Sequence, residues 1–229
     1  MNPLSFRELI RGCPGRSVVR WLWFQFVRLV CGIWFKLFYR LRVSGRENLP
    51  LTGPVLIVAN HQSYLDPIII GLATGKRPAH MLARSNLFRP FFMNWLLKSL
   101  NGVPVDRGTA DMASMRRCIE VLKEGMSLAI FPEGTRTEDG AVLSFKAGTL
   151  MIARRGGAVI LPMAIAGSFE AWPRSRKLPH FLGRVEVRFG KPVPADAFSR
   201  HDEEASLAQL RGAVTDMLDD MTRERLKAI

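Results

Sequence analysis

Pro54-Val55-Leu56-Ile57-Val58-Ala59-Asn60-His61-Gln62-Ser63-Tyr64-Leu65-Asp66-Pro67-Ile68-Ile69-Ile70-Gly71-Leu72-Ala73 is the stretch on which the fold depends. Its first six residues form a short apolar run, which reads as a buried strand. Pro67 opens a second apolar run that suits the first turn of a helix, and Gly75 closes it. The polar segment between them therefore sits where a strand ends and a helix begins. Layered α/β proteins hold reactive side chains at such junctions.

That segment contains His61 and Asp66. Histidine accepts a proton near neutral pH, and a carboxylate at its other ring nitrogen fixes the tautomer and stabilises the imidazolium. Five residues on one regular helix would set the two side chains about 140° apart. They can meet only across a non-helical turn, which a strand-to-helix junction supplies. The same letters have a second meaning: Asp66 before Pro67 fits a helix N-cap, and Ser63 with Asp66 fits a variant capping box. Both meanings stand on local grammar alone.

Outward from this centre the chain alternates strands and helices. Short strands are expected at 42–44, 79–83, 102–106, 127–131, 158–166 and 184–189, the last alternating Val185, Val187 and Phe189 with charged residues as an edge or half-exposed strand would. Helices are expected at 111–123 and 145–153, and 89–100 is an apolar helix or a second interfacial patch. A closing amphipathic helix from about Glu203 carries Leu207, Leu210, Val214, Met217 and Met221 at spacings of three and four. The pattern predicts an α/β fold: a mixed, largely parallel sheet flanked by helices. We divide the 229 residues into a basic, aromatic membrane-anchoring segment, 1–41, and one domain, 42–229.

Within the first segment, Val18 to Tyr39 is the most apolar and aromatic stretch, with Trp21, Trp23, Phe26 and Trp34 as interfacial candidates. It is long enough to span a bilayer. Arg20, Gln25, Arg28 and Lys36 interrupt it, however, and fall within roughly 160° of one another on a helical wheel. Arg28 near mid-span would cost about 2.5–3.5 kcal/mol in a transmembrane helix. A helix lying in the headgroup region avoids that cost, and tryptophan favours that depth. An interfacial helix, a single signal-anchor span and a buried core helix are the three readings, the first preferred.

Lysine and arginine number 33 against 20 acidic residues, a formal charge of +13. Such an excess points to an anionic partner: nucleic acid, a phospholipid surface or phosphorylated small molecules. No helix-turn-helix, zinc or RNA-recognition signature accompanies it. A basic nucleic-acid-binding protein is the rival from a different class, and a catalytically idle membrane scaffold is another. The three cysteines and four histidines show no metal-ligand spacing, so no metal is expected, and the odd cysteine count suggests a reducing compartment.

Two further strands end in cations. Val103-Pro104-Val105-Asp106-Arg107 ends in one arginine. Phe131-Pro132-Glu133-Gly134-Thr135-Arg136 ends in a glycine turn, a hydroxyl and a second arginine, with Lys146 ten residues on. Arginine's fork matches phosphate oxygens bidentately, so this set suits a phosphate. Each arginine also has a plain alternative: Arg107 paired with Asp106 or Asp111, and Arg136 paired with Glu138.

Asn60-His61-x4-Asp66, Val103 to Arg107, Phe131 to Arg136 and Leu161-Pro162-Met163-Ala164-Ile165 together resemble the four ordered blocks of the glycerolipid acyltransferase family, and within it the bacterial 1-acylglycerol-3-phosphate acyltransferases. The similarity covers roughly residues 40–195. The resemblance implies that His61 acts as general base on a lysophospholipid hydroxyl, with Asp66 orienting it and no protein nucleophile. It implies that Arg107, Arg136 and Lys146 hold the acceptor phosphate, that Glu133 orients the glycerol or those cations, and that Gly134 and Thr135 give a tight backbone approach. The donor is expected to be acyl-CoA or an acyl carrier protein thioester, with no other cofactor. The expected partners are these lipid substrates and an anionic membrane surface, at the cytoplasmic face of the inner membrane, with no nucleic acid. The family often shows Ala-Lys-x-Glu-Leu where this chain has Ala83-Arg84-Ser85-Asn86-Leu87. Arg84 keeps the charge without lysine's compact ammonium, which leaves the acceptor open, a lyso-ornithine lipid being the alternative.

Overall fold

The computed structural model describes residues 18–75, 77–105 and 111–227. In chain order it contains α1 (Val18–Phe38), β1 (Arg42–Ser44), β2 (Val55–Ala59), α2 (Asp66–Ala73), β3 (Ala79–Arg84), α3 (Phe91–Ser99), β4 (Gly102–Val105), α4 (Asp111–Lys123), β5 (Ser127–Ile130), α5 (Gly148–Arg155), β6 (Val159–Ala166), α6 (Ser168–Ala171), β7 (Glu186–Phe189), β8 (Val193–Pro194) and α7 (Glu203–Lys227). The strands form one sheet in the order β1-β7-β6-β2-β5-β3-β4, with β8 also paired to β6. β6, β2, β5, β3 and β4 are mutually parallel; β7 and β8 run antiparallel to β6. The expected mixed, largely parallel sheet is thus the observed one.

β2 is central and all five of its residues are buried, because helices cover both faces of the sheet. Leu56 and Val58 point into one core with Leu128, Ile160 and residues of α4, α5 and α7, among them Leu122, Leu150, Leu210 and Val214. Val55, Ile57 and Ala59 point into the other with Leu161, Met163, Ile69 and Ile70 of α2, and Phe35 of α1. Parallel strands place their C-terminal ends along one edge. The residues following β2 and β5, His61 and the Phe131 to Arg136 turn, therefore come together.

Three expectations are corrected. The strand at 184–189 is interior rather than edge: β1 pairs along its outer side and takes the edge position, so Glu186, Val187 and Phe189 are all buried. Residues 145–147 stay outside α5, because the Lys146 N–H donates to the Pro132 carbonyl (3.0 Å) and ties that segment to the turn after β5. In α7 Leu218 is buried along with Leu207, Leu210, Val214 and Met221, while Met217 is only partly buried at the margin.

α1 lies along the domain, packed against α2 and α3. Phe24 and Phe35 are buried beneath it, while Leu22, Phe26, Leu29, Val30, Ile33, Trp34 and Leu37 face outward, exposed. A buried core helix is excluded by that outer face. Of the four aromatic residues singled out, Phe26 and Trp34 lie on the exposed side. Trp21 and Trp23 are half-buried. Trp23 is held inward: its Nε1 donates to Ser99 Oγ (3.0 Å) and its ring meets Trp95 of α3 at 5.1 Å, the planes tilted by 50°. The large indole fills the groove between two helices, which the helical wheel of α1 alone could not show.

Candidate active site

The chain leaves the sheet at Asn60, and Asn60 itself makes the exit. Its Nδ2 donates to the Ile165 carbonyl (2.9 Å) and its Oδ1 accepts from the Ile165 N–H (2.8 Å). The side chain thus continues the β2–β6 ladder after the backbone has turned away. His61 is next, and its backbone is held from both sides by the turn after β5. The His61 N–H donates to Glu133 Oε1 (2.8 Å), and its carbonyl accepts from the Thr137 N–H (3.0 Å).

Asp66 closes the loop from the other end. One oxygen, Oδ2, accepts from His61 Nδ1 (2.9 Å) and from the backbone N–H groups of Gln62 (2.7 Å) and Ser63 (2.7 Å). This geometry assigns the imidazole proton to Nδ1 and leaves the Nε2 lone pair to accept a proton. Phe131 stacks flat on the imidazole, centroids 3.9 Å apart and planes 12° from parallel, which fixes the ring in its second rotational degree of freedom. Asp66 is completely buried, whereas the His61 side chain keeps 18% of its surface exposed. One member of the pair is sealed and the other can be reached.

The helix-cap reading of Asp66 is half right. Asp66 is the first residue of α2, and Leu65 occupies the N-cap position without a side-chain bond. The carboxylate turns back to bind the loop before it. Ser63 takes part as a capping box would: its N–H donates to Asp66, and its Oγ accepts from the Leu65 N–H (3.1 Å). The same bonds that end the loop aim the histidine, so the two meanings of the sequence are one structure.

The cations of the Glu133 to Lys146 segment gather beside this pair. Arg136 immediately precedes Thr137, which bonds the His61 carbonyl. Its guanidinium lies 3.4 Å above the Tyr64 ring, a cation–π contact, and Tyr64 in turn leans on Trp172 (5.0 Å). Nη1 of Arg136 is buried with no hydrogen-bond partner among the described residues. The alternative pairing with Glu138 does not form; Glu138 lies 3.6 Å from Arg174 instead. Gly134 has φ of +70°, and a Cβ there would sit 2.6 Å from Cε and Nζ of Lys146. Only glycine lets the lysine ammonium cross the turn so closely. Thr135 is half-buried in the same turn.

Glu133, expected to orient the glycerol or the cations, is bonded here to backbone. It is buried, and its two oxygens are used by backbone: Oε1 by His61 and Oε2 by the Leu143 N–H (3.0 Å). Burial pushes its carboxyl up to about 7, against the pull of those two N–H groups. It is a strut between the histidine loop and the segment after the turn. Arg107 lies outside the described residues, and so does the side chain of Arg84, whose backbone ends β3 at the same edge of the sheet. Sequence reasoning missed Asn60, Thr137 and Gln62, whose Nε2 donates to the Gly140 carbonyl (2.5 Å), as well as Arg211 of α7, whose Nε and Nη2 both donate to the Val142 carbonyl (3.0 and 2.7 Å). Asn60 carried a signal, a polar amide ending an apolar strand; the long-range partner of Arg211 carried none.

A buried carboxylate thus orients a reachable imidazole at the edge of an α/β sheet. A family model described as Acyltransferase matches residues 40–166, and the chain belongs to that family. Among its relatives is the chloroplast 1-acyl-sn-glycerol-3-phosphate acyltransferase LPAT1 of Arabidopsis thaliana, 32% identical over 176 residues, covering 74% of this chain and 49% of the plant protein. Another is the 1-acyl-sn-glycerol-3-phosphate acyltransferase of Bacillus subtilis, 29% identical over 181 residues, covering 79% of this chain and 87% of that one. The chain spans about half the length of the plant relatives and most of the Bacillus protein. The crystal structure of the 1-acyl-sn-glycerophosphate acyltransferase PlsC from Thermotoga maritima is similar at a TM-score of 0.74 with 32% identity, covering 87% of this chain and 81% of that chain.

Proposed function

We propose that the protein transfers an acyl group from an acyl thioester to the free sn-2 hydroxyl of 1-acyl-glycerol-3-phosphate, giving phosphatidic acid in phospholipid biosynthesis. The observation that carries this reading is the 2.9 Å bond from His61 Nδ1 to the buried Asp66 carboxylate, beside an arginine whose Nη1 has no described partner. Nε2 takes the proton of the acceptor hydroxyl as its oxygen attacks the thioester carbonyl. The new C–O bond forms, the carbonyl oxygen carries the charge, and collapse of that intermediate breaks the C–S bond. The leaving thiolate recovers the proton from the imidazolium, so the histidine is regenerated. No acyl-enzyme forms and no further cofactor is needed. General-base assistance of this kind contributes about 10²–10⁴-fold.

Arg136 and Lys146, with Arg107 as a further candidate, bind the acceptor phosphate. The names of the Arabidopsis, Bacillus and Thermotoga relatives support that choice of acceptor. The chain works at the cytoplasmic face of the cell membrane as a peripheral or monotopic protein. The exposed apolar side of α1 supports this, because a helix packed lengthwise on the domain presents its outer face to a bilayer without crossing it. The test is a lipid-product assay with the purified protein, a panel of lysolipid acceptors and both donor types. Phosphatidic acid formed from the lysophosphatidic acceptor is the expected product. Turnover only on a phosphate-free acceptor such as a lyso-ornithine lipid would overturn the acceptor assignment.

A further inference from the structure

The loop between α6 and β7 combines two features that the reaction does not use. Leu178, Phe181 and Leu182 are exposed to 71%, 61% and 74%. Around them stand Arg174, Arg176, Lys177 and Arg184. Among the described residues, Arg174 has one acidic neighbour, Glu138, at 3.6 Å and in the open, Arg184 pairs with Glu186, and Arg176 and Lys177 have no acidic partner.

The loop is fixed in place. The His180 N–H donates to the Ala171 carbonyl (2.8 Å), and Trp172 Nε1 to the Arg176 carbonyl (3.1 Å). The Tyr39 hydroxyl donates to the His180 carbonyl (2.7 Å), and the Gly183 N–H to the Phe38 carbonyl (3.0 Å). Its far end is thus bonded to the last turn of α1, where Ile33, Trp34 and Leu37 are exposed. Its near end starts at Trp172, whose carbonyl accepts from Ser63 Oγ (2.8 Å) and whose ring meets Tyr64, beneath Arg136.

We infer that residues 173–184 are a second bilayer contact, with Leu178, Phe181 and Leu182 entering the acyl boundary of an anionic membrane and Arg176 and Lys177 lying at its phosphates. Apolar side chains flanked by the cations Arg176 and Lys177 fit that boundary. The bonds to Phe38 and Tyr39 make the patch continuous with the outer face of α1, which an isolated protein-docking site would not require. The loop runs from that helix to the rim of the site, so a bilayer held by both would lie beside His61 and Arg136. The inference rests on reading the protein as a membrane-surface enzyme.

The test is sedimentation of the full chain with vesicles of phosphatidylcholine alone and of phosphatidylcholine mixed with phosphatidylglycerol. The double variant Phe181→Ser/Leu182→Ser should bind both vesicle types about tenfold more weakly, as expected for two partly inserted side chains. The variant Arg176→Gln/Lys177→Gln, which leaves the apolar tip intact, should lose only the preference for phosphatidylglycerol. Leu226→Ser, a comparably exposed site on α7 outside the loop, should bind as the wild type. Unchanged binding by both double variants would overturn the inference. Unchanged vesicle binding with turnover lost only for carrier-protein donors would overturn it too, by making the loop a protein-docking face. Failure of the wild type to bind either vesicle would sink the membrane reading itself, a distinguishable result.

Discussion

Asp66→Asn separates the charge of the carboxylate from its shape. Three donors converge on Oδ2, while Oδ1 is buried without a partner. An asparagine can place its carbonyl where Oδ2 was and keep all three bonds. Its NH₂ then takes the place of Oδ1 as a buried donor with nothing to bind, at a cost of about 1–3 kcal/mol. A domain of ordinary stability, about 5–15 kcal/mol, stays folded. The imidazolium formed during transfer loses its counter-charge, and in serine-protease triads the equivalent change costs up to about 10⁴ in rate. We expect kcat to fall about 10³–10⁴-fold, equal to roughly 4–5.5 kcal/mol in the barrier. The acceptor KM should hardly move, since Asp66 does not reach the substrate. Steady-state turnover with both substrates varied, alongside a melting curve, measures all three quantities. A fall in kcat of less than about tenfold in a folded variant would refute the claim that Asp66 stabilises the charged histidine.

Arg136→Ala should raise the acceptor KM about 10–100-fold with little change in the donor KM, as expected for loss of a charge-assisted bond to phosphate. Arg136→Lys should fall between, because an ammonium cannot pair bidentately; equal effects on donor and acceptor would count against phosphate anchoring. Glu133→Gln tests the buried carboxyl, which is raised from 4.5 to about 7. The unfolded chain releases this proton above about 4.5 and the folded chain keeps it to about 7, so the folded state binds more protons between those values. Wild-type stability should therefore decline by about 3 kcal/mol as pH rises across that window. The Gln variant should lack that component, and parallel melting-temperature curves for the two proteins between pH 4.5 and 7 would contradict the assignment.

Most of the frame was legible because it rests on local rules. Val55 to Ala59 had to be an interior strand, since nothing in it tolerates water. His61 and Asp66 could meet only across a non-helical turn, and that turn is where they meet. The errors share one cause: the deciding partner was distant in sequence. Nothing in Arg184 to Phe189 shows that β1 will cover its edge, and nothing in Trp23 shows that Trp95 waits across the groove. Glu133 sits in a motif rich in cations, so it reads as a partner for them; in the fold it faces inward to the backbone of His61, 72 residues away. The resemblance to a family marked the residues to compare, and the geometry shows how they are bonded to one another, His61 to Asp66 and to Glu133.

The central claim is that a single imidazole removes the proton of the acceptor hydroxyl. The most direct measurement is the rate of phosphatidic acid formation by folded His61→Ala in vesicles containing the lysophosphatidic acceptor and an acyl thioester. With the base gone, product should form about 10²–10⁴-fold more slowly than in the wild type, with an unchanged melting curve and unchanged vesicle binding. Turnover within about tenfold of the wild type would contradict it, because general-base assistance is worth at least about 10²-fold.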